Sequence, residues 1–432
     1  MKKPSPRILT FGCRLNTYES EVMRQHAEGQ DVIVVNTCAV TSEAERQASQ
    51  AIRKAHRENP SAPIIVTGCA AQLNPTHWAN LPGVTRVLGN EEKLQRQFWA
   101  PFGSSEGEKQ VTAEVYVSDI MAARKTAAHL VTDFSERSRA FVQVQQGCNH
   151  RCTFCIIPYG RGQSRSVPVG GIYKQVESLM RSGYQEIVLT GVDIASWGED
   201  LPGKPSLGQL CKRILALAPN LSRLRLSSVD PVGMDEDMWH LFKEEPRFMP
   251  YLHLSLQAGC DMILKRMRRR HLTQDVRQVV ERARSIQPTI GLGADLIAGF
   301  PTETEAMFEQ TLQFVEEMAF PFLHVFPYSE REGTPAARMP QLPKKLRKAR
   351  AAQLRQIGEK TRQHYYETLV GKQINILLET PNSGHSEEFA HVRLQQGFPE
   401  KIGQVVTAWA TGADQQAVYA ATADDRIVEH RI

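Results

Sequence analysis

The chain has 432 residues, 41% hydrophobic and 23% charged, with eight cysteines and a formal net charge of +5. That length supports two or three domains, and no stretch approaches the ~20 apolar residues of a membrane-crossing helix. The basic start, MKKPSPRILTF, lacks the apolar run and cleavage site of a signal peptide, which points to the cytoplasm. Cysteines there read as metal ligands or catalytic groups rather than disulfides.

In chain order, Ile8–Phe11 reads as a strand that ends at Gly12 and Cys13. DVIVVNTC (31–38) is a second strand, and Ser42 with Glu45 makes a capping-box pattern opening a helix to about His56. APIIVTGC (62–69) is a third strand, with a helical stretch near 90–98. Near-continuous apolar strands alternating with helices imply a parallel sheet, so residues 1–105 read as a small doubly wound α/β domain. Residues 106–135 read as a linker, next to the polar GSSEGEK at 103–109.

The alternation returns over 136–367. Strands are expected at 140–148, 186–193, 221–228, 252–257, 290–300 and 322–328, with helices at 170–182, 207–217, 273–286 and 303–317. Six such units predict a (β/α)6 partial TIM barrel, with its chemistry at the carboxyl ends of the strands. A basic helical extension over 336–372 carries ten Lys/Arg against two Glu, either as a solvated face or as an RNA contact. Residues 368–432 turn to short strands, a small all-β module. From 373 onward four Lys/Arg face eight Asp/Glu, so this tail is unsuited to be the main phosphate contact.

The sharpest motif is CNHRCTFC, with Cys148, Cys152 and Cys155 spaced C-x3-C-x2-C after the first barrel strand. Thiolates this close suit an iron–sulfur cluster or zinc. Zinc wants four protein ligands, and the nearby fourth candidate is His150. Three ligands on a four-iron cluster leave one iron open. The spacing resembles the signature of radical S-adenosylmethionine (SAM) enzymes.

Cys13, Cys38 and Cys69 each follow a predicted strand in the first domain, at intervals of 25 and 31 residues. Parallel strands put all three at one sheet edge, where α/β sheets bind ligands. They read as a second three-cysteine cluster. Two such clusters, on a small α/β domain and on a radical SAM barrel, resemble the methylthiotransferase family. The likeness runs through GCRLNTYES (12–20), VNTCAVTSEAERQ (35–47), GCNHRCTFCIIPYGRGQSRS (147–166), LSLQAGCDMILKRMRR (254–269) and FPYSEREGTPAARM (326–339). The tail, with GHSEEFAHVRL (384–394), is similar to the family's TRAM domain.

The resemblance implies two [4Fe-4S] clusters, on Cys148/Cys152/Cys155 and on Cys13/Cys38/Cys69, with SAM bound at the first. One SAM methylates a sulfur carried at the auxiliary cluster. A second is cleaved to a radical that abstracts hydrogen from an unactivated carbon, which acid–base catalysis cannot open. By position, Gly191, Asp193, Ser228, Gln257 and Gly299 are SAM contacts, while Arg161, Arg165, Lys344, Lys345, Arg347 and Lys348 are candidates for substrate RNA. The basic KRMRRRH (265–271) serves either RNA or SAM, and Cys211 and Cys260 match no cluster pattern. GCRLN resembles the group acting on N6-threonylcarbamoyladenosine of tRNA. The alternatives are isopentenyladenosine of tRNA, an aspartate of a small-subunit ribosomal protein, or a non-catalytic iron–sulfur RNA-binding redox sensor. Expected partners are tRNA, an electron donor such as flavodoxin or ferredoxin, and a sulfur source.

Overall fold

Parallel pairing organises the first unit. In a computed structural model, β1 (Arg7–Thr10), α1 (Arg14–His26), β2 (Ile33–Thr37), α2 (Ser42–Glu58), β3 (Ile64–Gly68), α3 (Cys69–Leu73), α4 (Pro75–Ala79), β4 (Val84–Leu88) and β5 (Glu114–Tyr116) follow one another. The strands form one parallel sheet in chain order. The structure describes residues 4–100, 112–124, 126, 129–131, 133–134 and 137–422; GSSEGEK (103–109) and the last ten residues of the tail module lie outside them.

Every residue of β2 and β3 is buried, because helices cover both faces. Side chains alternate with period two along a strand. Ile33, Val35, Ile64 and Val66 therefore share one core with Ala48 and Ile52 of α2 and with Trp78. Val34 and Ile65 turn the other way, onto Met23 of α1, Ala27 and Trp99.

Three details differ from the sequence reading. The cap of α2 is Thr41, whose hydroxyl accepts from the Ala44 amide at 3.2 Å, and Ser42 is the first helical residue. The stretch near 90–98 forms two 3-10 turns, Glu92–Leu94 and Arg96–Trp99, which carry Lys93 and Trp99 into the interior. The stretch expected as a linker contains β5, with Val115 paired to Val87. Three residues are too few for a periodic signal.

By contacts the chain divides into two units: Met1–Val131 with Gln145–Val167 and Ser329–Ala337, and Thr132–Val144 with Pro168–Tyr328 and Arg338–Ile432. The expected strand at 140–148 accordingly splits. β6 (Ala140–Gln143) belongs to the second unit, whereas β7 (Gln145–Gln146) pairs antiparallel with β8 (Arg165–Ser166) in the first, around the cysteine loop and α5 (Ile157–Arg161).

The second unit continues with α6 (Val169–Arg181), β9 (Glu186–Thr190), α7 (Leu207–Leu217), β10 (Arg223–Leu226), α8 (Glu236–Glu244), β11 (Tyr251–Gln257), α9 (Asp261–Arg266), α10 (Thr273–Ile286), β12 (Gly291–Ala298), α11 (Glu305–Met318) and β13 (Phe322–Pro327). β6, β9 and β10 form one parallel sheet, and β11, β12 and β13 another. Parallel bridges Leu224–Phe248 and Val229–Leu254 join the two. Among the described residues no ladder joins β13 to β6, so the barrel is the partial one expected.

The long helix α12 (Lys344–Glu367) starts after Pro343, then β14 (Gln373–Thr380), β15 (Ser383–Ser386), β16 (His391–Leu394), β17 (Val405–Ala413) and β18 (Val418–Ala421) close a small barrel. Polar contacts tie it to the amino-terminal starts of the larger barrel's strands. Arg225 donates to the Glu387 carbonyl at 2.9 Å and grips Glu186 at 2.8 Å, with Arg139 and Arg223 on the same carboxylate.

Candidate functional site

Cys13, Cys38 and Cys69 lie at the carboxyl ends of β1, β2 and β3, as the register of a parallel sheet requires. Cys13 precedes α1, Cys38 follows β2, and Cys69 begins α3. Gly12 lets them approach: at φ +103°, an added Cβ there would sit 2.8 Å from the Cys38 Cβ and 2.9 Å from its sulfur. Cys13 is exposed and the other two are buried. Burial, with Cys69 alongside, pushes the Cys38 thiol up to about 12, a charge penalty that a bound cationic centre removes.

A buried polar network holds these ends. Arg161, 2% exposed at the end of α5, donates from Nε to the Cys69 sulfur at 3.2 Å. Its other nitrogens bond Glu19 at 2.6 and 2.9 Å, Asn16 at 2.5 Å and Gln146 at 3.0 Å. Glu19 also receives Lys93 at 2.7 Å, and the Asn90 amide spans the Gly160 carbonyl at 2.5 Å and the Cys69 sulfur at 3.9 Å. Burial alone would raise the Glu19 carboxyl; Arg161 and Lys93 outweigh it and hold it at about 2. Glu19 therefore stays ionised, its negative charge met by the two cations beside it.

Cys148, Cys152 and Cys155 are half-buried on the loop between β7 and α5. Gly147, at φ +71°, leaves no room for a Cβ, which would fall 1.9 Å from the Gln163 carbonyl. The Cys148 amide bonds the Gly162 carbonyl at 3.1 Å, the Cys155 amide bonds the Cys152 carbonyl at 3.1 Å, and the Ala336 amide donates to the Thr153 carbonyl at 2.9 Å. Ile156 anchors the loop in the core of the first unit.

A single tetrahedral zinc draws its sulfurs to within about 3.8 Å of one another, from Zn–S bonds of about 2.3 Å. Among the described residues the three sulfurs of neither trio all lie within 4.8 Å of one another. The wider spread and all-thiol donor set fit a multinuclear iron–sulfur cluster at each trio.

The remaining candidates divide. Gly191, Asp193, Ser228, Gln257 and Gly299 all lie at or just beyond the carboxyl ends of β9 to β12, where the barrel reading placed them. Gln257 adopts φ +75°, unusual for a residue with a side chain. The Asp193 carboxylate accepts from Ser196 at 2.7 Å. Gly299, at φ +72°, lets the chain pass Arg347, whose Cγ would be 2.7 Å from an added Cβ.

The expected RNA residues do not form one surface. Arg161 is withdrawn into the network above, and Arg165, also 2% exposed, pairs with Glu91 at 2.9 Å. Arg347 is buried against the Leu342 and Tyr328 carbonyls at 2.8 and 3.2 Å. Their guanidiniums spend their donors on the protein, which leaves Lys344, Lys345 and Lys348 exposed at the start of α12. In KRMRRRH, Arg269 binds Asp230 at 2.8 Å and Arg266 binds Thr302 at 2.9 Å. Sequence reasoning missed Asn16, Glu19, Asn90 and Lys93 as partners of the cysteines. Asn16 and Glu19 stand inside GCRLNTYES, where their helical spacing behind Cys13 was the available signal.

Residues 142–315 match the model of the Radical SAM superfamily, and residues 6–89 match that of Uncharacterized protein family UPF0004. A protein of Rickettsia prowazekii named threonylcarbamoyladenosine tRNA methylthiotransferase MtaB is 49% identical, over 94% of this chain and 95% of that protein. One of the same name from Thermotoga maritima is 37% identical over 86% of each. A tRNA-2-methylthio-N(6)-dimethylallyladenosine synthase of Wolbachia pipientis is 30% identical over 88% of this chain and 89% of that protein. In fold, the chain is similar to the radical SAM methyltransferase TsrM of Kitasatospora setae, with a TM-score of 0.51 and 16% identity over 75% of this chain and 67% of that one. No helix among the described residues is long and apolar enough to cross a membrane.

Proposed function

The chain belongs to the radical SAM methylthiotransferases, and from that premise we propose that it adds a methylthio group to C2 of N6-threonylcarbamoyladenosine at position 37 of tRNA. The observation that carries the reading is the second cysteine trio, at three parallel strand ends, in a chain 49% identical to a relative named for that substrate.

Family members carry two [4Fe-4S] clusters and use SAM; when bound, these supply the one-electron chemistry that opens an aromatic C–H. Cys148, Cys152 and Cys155 would hold the SAM-cleaving cluster, and Cys13, Cys38 and Cys69 the auxiliary one. The chain's own part is positioning. Arg161 places a fixed positive charge and a hydrogen-bond donor on the Cys69 sulfur. Glu19 holds that guanidinium, and Lys93, bonded to both Glu19 and Asn90, braces Glu19 from the other side.

Gly191, Asp193, Ser228, Gln257 and Gly299 ring the strand ends at which SAM would lie, and the Asp193 carboxylate suits an ammonium group. Lys344, Lys345 and Lys348 are exposed cations suited to tRNA phosphates, and replacing each should reduce the salt slope of binding by about 1. A flavodoxin- or ferredoxin-type electron donor and a sulfur source complete the reaction, and a cytoplasmic setting suits a tRNA substrate.

The test is a nucleoside digest of tRNA from cells lacking the protein. Loss of 2-methylthio-N6-threonylcarbamoyladenosine, with recovery on complementation, is the expected outcome. An unchanged level, with no second enzyme for the same base, would refute the assignment.

A further inference from the structure

A third group of potential metal ligands lies in the barrel, built from residues given no part in the chemistry above. His253 on β11, Asp295 on β12 and His324 on β13 stand on three adjacent parallel strands, with Asp295 directly paired to His324 in the ladder. Their ligand atoms all lie within 4.8 Å of one another. One carboxylate oxygen, Asp295 Oδ1, is 3.1 Å from His253 Nε2 and 3.2 Å from His324 Nδ1.

Those separations match neighbouring ligand atoms around one ion. Bonds of about 2.1 Å put adjacent ligands about 3.0 Å apart in an octahedron and about 3.4 Å apart in a tetrahedron. The outer contacts also match. The other ring nitrogen of His253, Nδ1, bonds the Tyr251 hydroxyl at 2.9 Å, which fixes the ring and aims Nε2 at the carboxylate. Room for that ring is made by Gly293, the ladder partner of His253: a Cβ there would fall 2.2 Å from His253 Nδ1.

The three side chains grade from buried to open. His253 is 3% exposed, Asp295 24% and His324 56%, which gives an ion an entry path and leaves coordination positions facing solvent.

We propose that His253, Asp295 and His324 form a two-histidine, one-carboxylate site for a divalent transition-metal ion, separate from both cysteine trios. Two imidazoles and one carboxylate suit ions of the manganese-to-zinc series, and three protein ligands leave positions for water or an anionic oxygen. The site is built from this chain's own side chains, so it does not depend on which base the enzyme modifies.

The experiment uses the full chain with both iron–sulfur clusters reconstituted anaerobically, free of RNA and phosphate. Manganese(II) is the probe, because it favours nitrogen and oxygen over thiolates and its free form is counted by electron paramagnetic resonance. Wild type should bind one equivalent, with nitrogen couplings of imidazole on the bound ion. His324→Ala removes an exposed ligand and Asp295→Asn preserves shape. Each should weaken binding at least about tenfold while iron content and thermal midpoint stay at wild-type values; tenfold corresponds to about 1.4 kcal/mol. Binding by wild type equal to that of either variant, or no bound equivalent in wild type, would overturn the proposal.

Discussion

Cys148, Cys152 and Cys155 come from one loop, whereas Cys13, Cys38 and Cys69 are delivered by three strands that meet only in the folded sheet. The loop trio depends on a turn glycine and local amide bonds. The strand-end trio depends on the whole sheet and on the buried set of Arg161, Glu19 and Lys93 behind it. The first arrangement can lose its chemistry without losing the fold. In the second, the site and the stability of the first unit share the same side chains.

Removing one thiol from each trio breaks that comparison most sharply. Cys148→Ala should abolish both 5′-deoxyadenosine formation and methylthio product. Cys13→Ala should leave SAM cleavage and lose the product. Chromatography of the nucleoside products from reconstituted enzyme distinguishes them, and loss of both activities in Cys13→Ala would make the strand-end trio structural.

Arg161 is the next point of leverage. Arg161→Ala strands Glu19 in the interior with one of its two cations gone. Breaking a buried pair typically costs about 3–5 kcal/mol. Arg46→Ala, whose pair with Glu43 on α2 is exposed on both sides, should cost about 1 kcal/mol or less. Urea unfolding of the two variants checks the contrast. Arg161→Lys, which keeps the charge but loses the planar fork, should retain iron and shift the reduction potential of the strand-end cluster alone.

This division also explains what could be read from the sequence. C-x3-C-x2-C is a local pattern, so one loop displayed its chemistry directly. Cys13, Cys38 and Cys69 were legible because apolar strands such as VIVV and PIIV announce parallel sheet, and sheet direction puts their ends together. The six barrel strands and the β-rich tail carried the same signal. Arg161 stands in GRGQSRS like a surface cation, and only the fold reveals Glu19 and Asn16 waiting for it. Glu19 and Lys93 are 74 residues apart, and no period links them. β5 and the 3-10 turns at Glu92–Leu94 and Arg96–Trp99 escaped for a related reason: each is set by tertiary contacts rather than by its own residues.

Acid should separate the same two regions by a smaller amount. Glu19 has a folded-state value of about 2 against an ordinary 4.5, so its contribution is fully present above 4.5 and lost as pH falls toward 2. The full shift corresponds to about 3 kcal/mol, of which about 1 kcal/mol is gone by pH 4. Urea midpoints of the full chain at pH 7, 5 and 4 measure it. Glu19→Gln should flatten that part of the curve, and an unchanged slope would mean that Glu19 is not the titrating group.

Single methyl groups at the two turn glycines are the smallest structural change, and they sharpen the contrast because each touches one trio only. Gly12→Ala forces a Cβ onto Cys38 at a backbone angle that side chains rarely adopt, a cost of about 1–3 kcal/mol. Gly147→Ala places its Cβ against the Gln163 carbonyl beside Cys148. Gly29→Ala is the control, with a comparable φ of +81° and nothing within 4 Å of the new atom. Iron analysis after reconstitution should find Gly12→Ala short of the strand-end cluster and Gly147→Ala short of the loop cluster, with Gly29→Ala fully loaded. If Gly12→Ala loads both clusters, the close approach of Gly12 to Cys38 is not what gathers the strand-end thiols, and the buried network alone holds them.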